Sequence, residues 1–147
     1  MNSAVERTGE SMIQRWNPES VAAPIGAYSH LVRVPADHEL VVVAGQIGLL
    51  PDGELAGPDA ESQTRALLAN LERLLEASGA GPEHLVKVFS MLSGTEHLDG
   101  FRTAMRETFT RWYPEADWPA QSLIVVAALA RPELVVEVEA LIAVPRR

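Results

Sequence analysis

The stretch from Trp118 to Val144, WPAQSLIVVAALARPELVVEVEALIAV, constrains this chain most. Leu123 to Ala130 is an unbroken apolar run, Arg131-Pro132-Glu133 interrupts it, and Leu134 to Val144 is a second run rich in valine. Proline supplies no N–H and favours turns, so the break separates two β-rich segments. Two such segments joined by a short break are expected to pair as antiparallel strands. The first is apolar on both faces and is expected inside a sheet. The second alternates: Val136, Val138 and Ala140 fall on one face, Glu137, Glu139 and Leu141 on the other. Two carboxylates on one face of a largely apolar strand read either as a solvated sheet face or as the wall of a pocket that holds an acid.

The rest of the chain supplies partners for this stretch. Leu31–Val34, Leu40–Ala44 and His84–Leu92 carry strand patterns. Asp59 is expected to cap a first helix with the stripe Leu67, Leu71, Leu74 and Leu75, ended by Gly79 and Gly81. Thr95 is expected to cap a second helix, Glu96 to Trp112, with the stripe Leu98, Phe101, Met105, Phe109 and Trp112. Arg102, Arg106 and Arg111 lie off that stripe and are assigned to the solvated face. This order implies an α+β fold: one mixed sheet with two helices on one face. Two helices leave the second sheet face bare, and a bare apolar face calls for oligomerisation through the sheet. Residues 1–17 show no period and are expected to form an N-terminal arm; residues 18–147 form a single domain.

Composition narrows the chemistry. An apolar content of 47% over 147 residues fits one globular domain. No apolar run reaches the roughly 18 residues needed to cross a bilayer, and the polar first twenty residues do not resemble a secretory leader. There is no cysteine, which excludes disulfides and thiolate chemistry and fits a cytoplasmic location. A net charge of −8 argues against a nucleic-acid partner. His30, His38, His84 and His97 show no metal-ligand spacing, so no metal site is expected; His30, at the mouth of a strand, reads as a hydrogen-bonded structural residue. The sole lysine, Lys87, sits in a strand pattern without an activating partner, and no Gly-x-Ser-x-Gly elbow is present.

Four segments in a fixed order carry a resemblance: Ile25-Gly26-Ala27-Tyr28-Ser29, Ala44-Gly45-Gln46-Ile47, Pro119-Ala120-Gln121-Ser122 and Val136-Glu137-Val138-Glu139-Ala140. Together they resemble the RidA (YjgF-type) family from about residue 18 onward. The resemblance implies a chorismate-mutase-like fold and a homotrimer around a central barrel, with small-molecule sites in clefts between subunits. It also implies hydrolysis of 2-imino and enamine acids without metal or organic cofactor. Tyr28 and Glu137 match the family's tyrosine and strand acid. The family's carboxylate-gripping arginine falls on Gln121, its Ser-Gly-Gln serine on Ala44, and its helix asparagine on Met105. The resemblance thus implies Glu137, Gln121 and Tyr28 as catalytic positions, with Ala44, Gly45, Gln46, Met105 and Ser122 as substrate-binding ones. Glutamine removes a fixed charge and a bidentate fork, so the substrate is expected to lack the usual carboxylate. The alternatives are a non-catalytic ligand-binding or regulatory trimer and, against the charge, a ribonuclease.

Overall fold

A computed structural model describes residues 12–147. Strand β1 (Gln14–Trp16) pairs antiparallel with β2 (Leu31–Arg33) in a small two-stranded sheet. The main sheet contains β3 (His38–Ile47), β4 (Leu85–Leu92), β5 (Ala120–Val125) and β6 (Val136–Pro145), in the order β3-β6-β4-β5. Helices α1 (Ala60–Ala77) and α2 (Leu98–Trp112) complete an α+β domain. Of the expected N-terminal arm, residues 14–16 form β1; residues 1–11 lie outside the described residues.

The expected pairing of the last two strands is wrong. β6 lies between β3 and β4, antiparallel to both, while β5 runs parallel to β4 at the sheet edge. The physical reason is the helix between β4 and β5. A helical crossover returns the chain to the end where it started, so the strands it joins run parallel. The expectation that the Leu123–Ala130 run lies inside a sheet fails with it: the strand ends at Val125, and Ile124 is 44% exposed. Leu40 and Val42 of β3, 58% and 74% exposed, are likewise not buried within the chain.

The alternation read in β6 is observed. Val136, Val138, Ala140 and Ile142 are buried among Leu67, Leu71, Phe101, Met105 and Phe109 of the two helices. Glu137, Glu139 and Leu141 share the opposite face with Leu40, Val42, Phe89, Met91 and Ile124, by register. No element among the described residues gives that face the helical cover its partner face has.

Local signals set the helix ends. Asp59 accepts from the Ser62 N–H at 2.9 Å, and that bond holds its carboxyl below the usual range. Ser78 closes α1, and Gly79 follows with φ of 70°, a left-handed conformation that glycine adopts without penalty. Thr95 does not cap α2. A 3-10 turn spans Thr95–His97 first, after Gly94 at φ 154°, and α2 starts at Leu98. Arg111 makes a bidentate pair with Glu72 at 3.0 Å, tying α2 to α1. That pairing lowers the Glu72 pKa.

Arg15 anchors β1 to the body. Its guanidinium donates to the carbonyls of Glu83 and Leu85 at 2.8 Å and pairs with Asp117 at 3.1 Å. It also lies 5.9 Å from the Tyr113 ring centroid. Tyr113 donates to Pro82 O at 2.7 Å, and burial pushes its phenol well above the ordinary value.

Candidate functional site

A cavity of about 600 Å³ opens between the 25–28 loop, one side of α2 and the start of β5. Three hydrogen bonds stitch the loop to β5. Ser29 N donates to Pro119 O at 3.1 Å, the Ser29 hydroxyl donates to Trp118 O at 2.7 Å, and Gln121 Nε2 donates to Ala27 O at 2.9 Å. Tyr28 folds back so that its hydroxyl accepts from Ile25 N at 3.3 Å. The apolar floor includes Phe101, Met105, Phe109 and Trp118, with Phe109 and Trp118 stacked at 6.2 Å. Nε2 of Gln121 spends one N–H on that carbonyl, which leaves its second N–H and the acceptor Oε1 to meet a ligand.

Tyr28, Met105, Gln121 and Ser122 all line this cavity, whereas Ala44, Gly45, Gln46 and Glu137 do not. Those four gather elsewhere. The β3–β6 register shifts between Val43 and Gln46, and Glu137 lies over the backbone there. A Cβ on Gly45 would collide with the Glu137 carboxylate, which would have to move from its place over this backbone. Gln46 Nε2 donates to Ala44 O at 3.0 Å, tying that side chain to the irregular segment. By register, Gln121 shares the helix-covered face with Val88 and Ala140, while Glu137 is on the open face beside Met91. Strand β4 separates β5 from β6, and the β4 partners of the two residues, Val88 and Met91, are three residues apart, which puts the two Cα atoms about 14 Å apart with side chains on opposite faces. Within one chain, the eight positions fall into two separate groups.

The sequence model of the Endoribonuclease L-PSP family matches residues 19–144, most of the chain. The chain belongs to this family, the RidA (YjgF-type) proteins. Reactive Intermediate Deaminase A, chloroplastic, of Arabidopsis thaliana is 35% identical to this RidA-family chain over 112 residues. That match covers 76% of the chain and 56% of the Arabidopsis protein, so the chain spans little more than half of that relative's length. A 2-iminobutanoate/2-iminopropanoate deaminase of Salmonella typhimurium is 31% identical over 125 residues, covering 84% of the chain and 91% of the relative. Among solved structures, YyfB of Yersinia pestis, a Rid-family protein of unknown function, superposes with a TM-score of 0.78 at 30% identity. It covers 91% of this chain and all of the Yersinia one, 100%.

Sequence reasoning missed Arg102 and Arg106. Both are exposed, as expected of residues off the apolar stripe, but both also line the RidA-family cavity. The signal was their position: each directly follows, in sequence, a stripe residue that forms the cavity floor, Phe101 or Met105. His30 matches its structural reading, with Nε2 2.7 Å from Ala22 O and its ring edge-on to Tyr28 at 5.7 Å.

Proposed function

We propose that this RidA-family protein hydrolyses an imine or enamine that lacks a carboxylate on the reacting carbon, in a homotrimer whose sites are completed between chains. The observation that carries the reading is Gln121: it lies in the cavity, fixed by Ala27 O, with a neutral amide rather than a guanidinium to offer. An amide oxygen suits the N–H of an imine or enamine and gives no charge-assisted grip on a carboxylate. The deaminase names of two relatives support the reaction class. The uncovered sheet face around Glu137 and the open edge of β5 are surfaces through which a second chain would bring the two groups together. A trimer of this kind needs no metal or organic cofactor for the step.

In that site Glu137 takes a proton from water as the oxygen adds to the C=N carbon. The resulting carbinolamine has its nitrogen hydrogen-bonded to Gln121. Glu137 hands that proton to the nitrogen, then carries the carbinolamine hydroxyl proton to the nitrogen as the C–N bond breaks, and ammonia leaves a carbonyl product. General-base assistance of this type contributes about 10²–10⁴ in rate.

The test is an imine panel. Small 2-imino acids, generated in place by an amino-acid oxidase, are expected to react on the order of 10² more slowly than with an arginine-bearing relative. A bidentate grip supplies about 1.5–3 kcal/mol per hydrogen bond, and its loss acts in the transition state. Imines without that carboxylate are expected to turn over faster than the 2-imino acids. Equal rates on 2-imino acids by the two proteins would overturn the substrate assignment.

One observation favours a second reading, a non-catalytic ligand-binding trimer: the Gln121 cavity contains no Glu137 within its own chain. Absence of turnover across the whole panel, with a ligand still bound, would select it. The ribonuclease named in the family description fits less well, because 20 acidic against 12 basic residues oppose a phosphate backbone.

A further inference from the structure

Arg102 and Arg106 stand one helical turn apart on α2, close enough for their guanidiniums to converge on one anion. Among the described residues neither makes a hydrogen bond or an ion pair. Arg15, Arg65, Arg111 and Arg131 each have a carboxylate within 4 Å among the described residues, whereas Arg33, Arg73, Arg146 and Arg147, none of which lines this cavity, do not. The chain carries a net charge of −8, yet none of the residues around this cavity is acidic. Two unpaired cations at an apolar cavity in an acidic protein form a local positive field where carboxylates are otherwise plentiful.

We infer that Arg102 and Arg106 are a carboxylate subsite, so that the cavity takes an amphipathic carboxylate whose anionic group lies away from the nitrogen read by Gln121. The inference rests on taking the cavity as the ligand site. The carboxylate is held between the two guanidiniums, the apolar body lies over Met105 and Trp118, and the N–H meets Gln121 Oε1. On this division, a chain without arginine at position 121 would still select an acid. The charge recognition has moved from the reacting end of the cavity to its α2 side.

Binding, not turnover, tests this, so its failure is separate from failure of the hydrolase reading. The probe is 3-phenylpropanoate against its neutral amide, followed by calorimetry and by intrinsic tryptophan fluorescence, to which Trp118 at the cavity contributes. The acid is expected to bind at least about tenfold more tightly than the amide, and added salt should erode the difference. The double variant Arg102→Gln/Arg106→Gln is expected to bring the acid down to the amide's affinity while leaving the amide unchanged. Both side chains are exposed, so the fold should tolerate the change. Equal binding of acid and amide by the unmodified protein would overturn the inference, as would a double variant that keeps the preference. Loss of assembly in the double variant would also overturn it, because the arginines would then be contacts between chains.

Discussion

Glu137→Gln is expected to lower imine hydrolysis by about 10²–10⁴ while moving the melting temperature by no more than about 2 °C. The large activity effect follows from removing the group that takes the proton from water. The small stability effect follows from the environment: Glu137 is half-buried on the open face, and glutamine keeps its volume over Gly45. Steady-state assays and a thermal melt on the same preparation check both halves. A drop in melting temperature as large as that of a core variant would mean the carboxylate holds the β3–β6 irregularity together rather than acting on substrate.

Gln63→Leu is expected to be the most destabilising conservative change in the chain. Gln63 is fully buried in α1, and its amide makes three hydrogen bonds. Nε2 donates to Gly57 O and Glu133 O, each at 2.9 Å, and Oε1 accepts from Val135 N at 3.0 Å. This one side chain fixes both the entry to α1 and the approach to β6. Leucine would strand the buried Val135 N–H and free two carbonyls, at about 1–3 kcal/mol for a stranded buried group plus the lost bonds. A total of about 3–4 kcal/mol corresponds to a fall in melting temperature on the order of 10 °C for a domain this size. A shift under about 3 °C would show that water or backbone movement replaces the amide.

Features set by neighbours in sequence were legible. The Asp59 cap, the Leu67-Leu71-Leu75 stripe and the two faces of β6 follow from local periodicity. Strand partnership is not local. β5 and β6 adjoin in sequence, but the helix before β5 decides its direction and places β4 between them. The two-face apolarity of Leu123–Val125, taken as a sign of a central strand, belongs to an edge strand instead. The resemblance singled out eight candidate positions, but their separation into two groups within the chain was not legible. That division depends on side-chain parity across three strands with a register shift in β3. Arg102 and Arg106 escaped because a helical wheel separates core from solvent and does not show a cavity opening at their boundary.

In the proposed trimer, Gln121 of one chain and Glu137 of another make one working site. Mixing two inactive variants tests it most directly. Gln121→Ala and Glu137→Gln proteins are each expected to be nearly inactive alone. Once unfolded together and reassembled at equal ratio, they should recover roughly one quarter of wild-type activity, since each head-to-tail interface needs one chain of each kind in a set order. Properly assembled mixed oligomers that remain as inactive as the separate variants would contradict the claim.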